Sequence, residues 1–221
     1  MKLFIFIIFF YLQVPNYEGN AYDFLKLVEQ WPPAACLPNK CFRITNGFGV
    51  HGLWPSNTSG IHSRTCDSST KFTTSMVQPL FPRINNSWPE VINGKEEWFW
   101  GHEWEAHGKC SEAKFPGSDY FKLALDIKDR ANLLQALNSK NIKPGSSEPV
   151  KDFEDAIKSV INGKRPELRC LKDRKGVVYL HEVGLCLDPD GVQYIDCPLI
   201  SQPPPSVTNC LLNPKLMLLP L

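Results

Sequence analysis

Eight cysteines, Cys36, Cys41, Cys66, Cys110, Cys170, Cys186, Cys197 and Cys210, set the terms on which this chain can fold. An even number of cysteines fits a disulfide framework in an oxidising compartment. None stands in C-x-x-C spacing, which argues against zinc and against a thioredoxin-like redox site, so no metal is expected. Spacing alone leaves open the roughly one hundred pairings available to eight cysteines. The N-terminus agrees with such a compartment: Lys2 precedes an apolar run from Leu3 to Leu12 and a polar stretch ending Gly19-Asn20-Ala21. This reads as a signal peptide over residues 1–21, cleaved after Ala21. The run is too short to cross a ~30 Å hydrocarbon layer as a helix, so no membrane association is expected. Residues 22–221 then have the length of one domain.

A hydrophobic fraction of 43% and a charged fraction of 21% exclude a disordered tail, a collagen-like repeat and a coiled coil. The 24 Lys and Arg nearly balance the 23 Asp and Glu, so any anion site must be local. Asn57-Thr58-Ser59 and Asn85-Asn86-Ser87 are N-glycosylation acceptors, at Asn57 and Asn85, if the chain is secreted.

Residue pattern predicts strands over Tyr22–Trp31 and Phe48–His51, a polar surface loop over Ser56–Thr70 and a short helix over Lys71–Leu80. Helices are predicted over Glu96–His107, with Gly108 as C-cap, over Asp119–Leu137, and over Val150–Asn162 before Gly163. Val177–Leu187 and Val192–Cys197 read as a hairpin around Asp188-Pro189-Asp190-Gly191, and the apolar C-terminus as a final buried strand. Strands at both ends with helices between them imply an α+β domain, an antiparallel sheet packed against several helices.

Three of the five histidines lie in two aromatic-rich stretches, Val50-His51-Gly52-Leu53-Trp54-Pro55 and His102-Glu103-Trp104-Glu105-Ala106-His107-Gly108-Lys109-Cys110. On a helix Glu103 and His107 share a face. His102 and His107 stand about 140° apart and are badly placed to grip one metal; the H-E-x-x-H zinc motif is absent. Two imidazoles on different elements can divide a proton transfer, one accepting and one donating, because a reference pKa of ~6.5 allows both forms near neutrality. RNA cleavage needs such a pair and no cofactor. A base takes the ribose 2′-hydroxyl proton, the oxygen attacks phosphorus, and an acid protonates the departing 5′-oxygen.

Both stretches resemble the two active-site motifs of the ribonuclease T(2) family, His51-Gly52-Leu53-Trp54-Pro55 without a change and Trp100 to Cys110 in most positions. The resemblance extends through Gln30-Trp31-Pro32, Ser87-Trp88-Pro89 and Glu182-Val183-Gly184-Leu185-Cys186. It implies an α+β fold, single-stranded RNA as substrate, His107 as general base, His51 as general acid, Glu103 supporting the transition state and His102 assisting phosphate binding. It further implies base contacts from Trp54 and Gln30. Trp98, Trp100 and Trp104 are expected in the core; His62 and His181 receive no role. The disulfides implied are Cys36–Cys41, Cys66–Cys110, Cys170–Cys210 and Cys186–Cys197.

One position departs from the family pattern: Ala106 stands where a lysine usually neutralises charge on the phosphorane. Losing one such contact costs on the order of 3 kcal/mol. Lys109 is a candidate replacement for that charge. The Trp54-Pro55-Ser56-Asn57 continuation and the Ser/Thr-rich loop resemble the self-incompatibility branch, which implies pollen F-box proteins as partners, although a sequence pI near 7.6 is less basic than that branch suggests. The expected protein is a secreted monomer, with vacuolar sorting as the other destination. The rival reading is a ribonuclease fold with little turnover that acts by binding, recognition or storage.

Overall fold

A computed structural model of the chain describes residues 22–37, 40–58, 66, 68–199 and 208–221. The expected signal segment, His62 and part of the polar loop lie outside them. The strands are β1 (Phe24–Gln30), β2 (Gly49–Ser56), β3 (Ser147–Pro149), β4 (Glu167–Lys172), β5 (Val178–Leu187), β6 (Tyr194–Ile195), β7 (Thr208–Asn209) and β8 (Lys215–Met217). The helices are α1 (Pro32–Ala35), α2 (Arg83–Ser87), α3 (Glu96–Ala106), α4 (Ser118–Ala131), α5 (Leu133–Ser139) and α6 (Val150–Lys158).

The sheet runs β2-β1-β5-β4-β7 with antiparallel neighbours; β6 and β8 add to β5, the latter through a parallel bridge, and β3 pairs with β8. This is the α+β architecture expected. β1 is central and buried along its whole length. Leu25, Leu27, Leu53, Val183, Leu185 and Leu187 join one core with Trp88, Trp104, Tyr120, Phe121, Leu125, Phe153 and Ile157 from the helical side. Because strand side chains alternate, the other face of the same strands carries Lys26 and Trp54, which meet across the β1–β2 ladder.

All four disulfides form as the resemblance implied. Cys66–Cys110 closes 44 residues and ties the polar loop to the turn after α3. By loop-closure entropy such a link stabilises by about 4 kcal/mol.

Several elements differ from expectation for identifiable reasons. The strand predicted over Phe48–His51 begins at Gly49 and continues through Trp54-Pro55 to Ser56, because β1 pairs with it throughout. The long helix predicted over Asp119–Leu137 is two helices, broken at Asn132, whose left-handed backbone ends α4 while its side chain accepts from Gln135 N and caps α5. α6 stops at Lys158, and the chain leaves through Asn162 and Gly163, both at positive φ. Lys71–Leu80 holds two 3₁₀ turns, Thr74–Met76 and Gln78–Leu80, in place of a helix. Gly108 is not a left-handed cap: α3 ends at Ala106 with His107 as its C-cap, and a Cβ on Gly108 would lie 2.4 Å from the Trp104 ring. The C-terminal strand is only Lys215–Met217, although Leu216 and Leu218 are buried. β4, which the pattern did not announce, fills the place beside β5.

Candidate active site

His51 owes its position to a break in the β-ladder. Val28 pairs with Gly52 and Glu29 with Val50, so His51 falls in the register shift between them. Such a bulge re-aims a side chain that strict alternation would send to the opposite face from Gly52 and Trp54. The His51 carbonyl, released from the ladder, accepts the Trp88 indole N–H at 3.0 Å. The ring meets Trp54 edge-on at 5.3 Å between centroids and lies 5.9 Å from Phe99.

The second motif arrives on α3. Glu103 is buried near its end, and its Oε2 accepts the Trp54 indole N–H at 3.0 Å. His107 is the residue at which the helix stops; its N–H still donates to the Glu103 carbonyl at 3.0 Å. Its imidazole stacks on the face of Trp54 at 5.2 Å. The two histidines therefore touch one indole, and the carboxylate between them in sequence role is hydrogen-bonded to that same indole. Gly52 makes this possible: a Cβ there would fall 2.0 Å from Glu103 Oε2 and 2.3 Å from Trp54 Nε1.

Charged groups from β1, β4 and β5 complete the floor. Glu182 Oε1 lies 2.6 Å from His51 Nδ1, and Glu182 Oε2 lies 3.3 Å from Arg169 Nη1. Arg169 Nε donates to Glu167, whose other oxygen accepts from Lys26 Nζ at 2.7 Å. The Arg169 guanidinium is 5.3 Å and Lys26 Nζ 6.0 Å from the Trp54 ring. Desolvation works against a charged His51, but the hydrogen bond and charge of Glu182, with the charge of Glu103, outweigh it and raise the imidazole above its ordinary 6.5. Burial would raise Glu182, yet the hydrogen bond and charge of His51, with His181 and Arg169, bring it down to about 2. Burial is the main cause that holds Glu103 above the usual carboxylate range, against the pull of His51 and the Trp54 hydrogen bond. At neutral pH the arrangement thus favours a protonated His51 on an ionised Glu182.

His102 is exposed and stacks on Trp98 at 5.6 Å, with planes 12° apart. Trp98 is 65% exposed, which corrects its expected place in the core; Trp100 and Trp104 are buried as expected. Trp54 is buried among His107, Glu103, Arg169 and Lys26 and holds these groups together. Gln30 is buried at the end of β1, opposite Glu182 on β5 and Gly49 on β2. Lys109 forms an i, i+4 pair with Glu105 at 2.5 Å, and Glu105 also accepts from Phe72 N–H. Glu105 is two residues past Glu103, about 200° around α3, so this pairing draws the Lys109 charge to a different face from Glu103. Asn57 follows β2 and Asn85 lies on α2, both half-buried. Among the described residues no group of three or more His, Cys, Asp or Glu could hold a metal ion, and no helix is long and apolar enough to cross a membrane. Sequence reasoning missed Lys26, Glu167, Arg169 and the role of Glu182; only the last carried a signal, standing in a motif quoted for the resemblance.

A family model described as Ribonuclease T2 family matches residues 22–197. Ribonuclease 1 of Arabidopsis thaliana is 38% identical over 191 residues, covering 82% of this chain and 83% of its own. Ribonuclease S-7 of Nicotiana alata is 33% identical over 201 residues, covering 88% of each. The crystal structure of RNase NT in complex with 5′-AMP matches with a TM-score of 0.80 at 28% identity, over 90% of this chain and 99% of that one.

Proposed function

The chain belongs to the ribonuclease T2 family, and from that premise we propose that it is a secreted endoribonuclease, independent of metal, that cleaves single-stranded RNA through a 2′,3′-cyclic phosphate. The observation that carries the reading is the meeting of His51 and His107 on Trp54, with Glu103 bonded to the same indole.

His107 takes the proton of the 2′-hydroxyl, and the freed oxygen attacks the adjacent phosphorus. The bond from phosphorus to the 5′-oxygen breaks, and His51 gives its proton to that oxygen. Ring closure leaves the 2′,3′-cyclic phosphate and a free 5′-hydroxyl, with protons and bonds balanced. A His51 imidazole raised above its ordinary value suits the acid, since it holds its proton where a free imidazole is losing it. Glu103, held by its Trp54 hydrogen bond, supports the pentacovalent transition state, and His102 assists phosphate binding. Gln30 contacts a base. Ala106 leaves the site one cation short of the family pattern, so turnover is reduced but retained, because acid–base catalysis keeps its own roughly 10²- to 10⁴-fold terms. The protein acts as a monomer, with glycans at Asn57 and Asn85. Assignment to the self-incompatibility branch, with pollen F-box partners, rests on the polar loop after Asn57.

The test is incubation of purified protein with single-stranded RNA in the presence of EDTA. Products ending in 2′,3′-cyclic phosphate are expected, with no cleavage of a strand carrying 2′-deoxyribose at the scissile position. His51→Ala and His107→Ala should each remove most of the activity without loss of fold, and the double variant should be little worse than the poorer single. RNA that is bound but never cut would favour the binding reading.

A further inference from the structure

Glu182 is a buried carboxylate in the floor of the site to which the proton-transfer scheme gives no task. It stands on β5 with Gln30 opposite on one side and Arg169 opposite on the other. β5 carries its own register shift here: Arg169 pairs with Glu182 and Cys170 with Leu180, so His181 is passed over. The His181 carbonyl accepts from the Trp31 backbone N–H at 2.7 Å, and the His51 carbonyl from the Trp88 indole N–H. Glu182 reaches this face by plain alternation from Cys186 and Gly184, opposite Lys26, Val28 and Gln30, and the bulge in β2 turns the His51 ring to the same face, where alternation alone would not send it.

A buried carboxylate without partners is costly, and one whose two oxygens are both bonded is held in one orientation. Glu182 has both: His51 Nδ1 at 2.6 Å on Oε1 and Arg169 Nη1 at 3.3 Å on Oε2. Arg169 is fixed in turn by Glu167, and Glu167 by Lys26. The chain of pairs runs across β1, β5 and β4, so the ring it orients is tied to the rigid middle of the sheet while remaining 33% exposed.

We propose that Glu182 is a positioning residue for His51: its carboxylate, clamped by Arg169, accepts the Nδ1–H and thereby presents Nε2 as the nitrogen that protonates the departing 5′-oxygen. The proposal rests on the reading of His51 as general acid. The charged and titratable groups acting on the ring are Glu182 and His181 from β5, Arg169 from β4 and Glu103 from α3. The Glu182 charge adjoining Nδ1 stabilises the imidazolium, against burial and Arg169, while the His51 hydrogen bond and charge, then His181 and Arg169, keep Glu182 ionised. The tautomer follows from the same bond, since a ring whose Nδ1–H is taken must use Nε2 elsewhere.

Glu182→Gln tests this with two substrates: a dinucleoside phosphate, whose 5′-oxygen leaves only with a proton, and a nucleoside 3′-(4-nitrophenyl phosphate), whose leaving group needs none. We expect kcat on the dinucleoside phosphate to fall by up to roughly 10²-fold, the scale of one general acid, with KM little changed and the basic limb of the pH profile moved to lower pH. On the aryl ester the loss should be small. The His51 ring, followed by nuclear magnetic resonance, should titrate at lower pH in the variant. His51→Ala separates the two levels of the argument. If it loses both substrates equally, His51 is not the acid and the underlying reading fails. If it loses the dinucleoside phosphate selectively while Glu182→Gln loses both equally, or leaves the His51 titration unmoved, the positioning role alone is overturned. Should Glu182→Gln not fold, Arg169→Gln must show the same selective loss in smaller measure, and an unselective one overturns the proposal.

Discussion

Replacing Gly52 by alanine adds one methyl group at the point where the two motifs meet. Gly52 needs no unusual backbone angle; it is required by proximity. Its Cβ would stand 2.0 Å from Glu103 Oε2, 2.3 Å from Trp54 Nε1 and 3.0 Å from Trp54 Cδ1, inside the 3.0 Å hydrogen bond that joins those side chains. Non-bonded heavy atoms settle near ~3.5 Å, so the carboxylate must retreat by about 1.5 Å. Glu103 is buried, with no solvent into which to withdraw. Loss of a hydrogen bond to a charged group costs about 1.5–3 kcal/mol. It also removes one of the influences that hold Glu103 down, so the carboxyl moves further above its usual range. A displacement of ~1 Å in a catalytic group costs roughly 10²-fold in rate. We therefore expect Gly52→Ala to lower kcat/KM on a dinucleoside phosphate by about 10²-fold and to reduce the urea midpoint. Trp54→Phe removes the same hydrogen bond without the methyl group; its loss should overlap with that of Gly52→Ala, and the double variant should fall short of additivity. A folded Gly52→Ala with the native rate would refute the reasoning, and full additivity would separate the bond from the catalytic loss.

Glu29 is 1% exposed with Oε1 unpartnered, and burial lifts its pKa from 4.5 to about 7. Below pH 4.5 the carboxyl is protonated in both states and costs nothing; between 4.5 and 7 only the unfolded chain releases the proton, so stability is lost as pH rises, and above 7 the whole penalty stands. Glu29→Gln should therefore gain about 3 kcal/mol more at pH 8 than at pH 4 in urea unfolding, and a pH-independent gain would refute this account. Ala106→Lys should raise the single-turnover rate by up to ~10²-fold, because an oriented cation is added next to His107. Lys109→Ala should cost little in either background, since Lys109 is bound to Glu105; a large loss confined to the native background would restore it as the replacement charge.

The residue types that carry the chemistry were legible from the chain itself. His51 with Trp54, and His102 with Glu103 and His107, lie in two short stretches whose chemistry could be read directly, and the helical spacing after Ser118 and Val150 marked real helices. What could not be read was how the strands register. Alternation along β2 sends His51 and Trp54 to opposite faces, and only the slip against Val28 and Glu29 brings them to one site. His51 and Glu182 are 131 residues apart, and Lys26 and Glu167 are 141 apart. Neither pair has any local signature, because it exists only once β2, β1, β5 and β4 lie side by side. Trp98 and Trp100 stand two residues apart on α3 with the same local pattern; packing buries Trp100 and leaves Trp98 to stack on His102. Gly108 looked like a cap by position, and its cause was the Trp104 ring. Local sequence determines which chemistry a segment can offer, through periodicity and side-chain type. Which cation or carboxylate stands beside that chemistry is decided by ladder register and core packing, whose energies are summed over contacts distant in the chain.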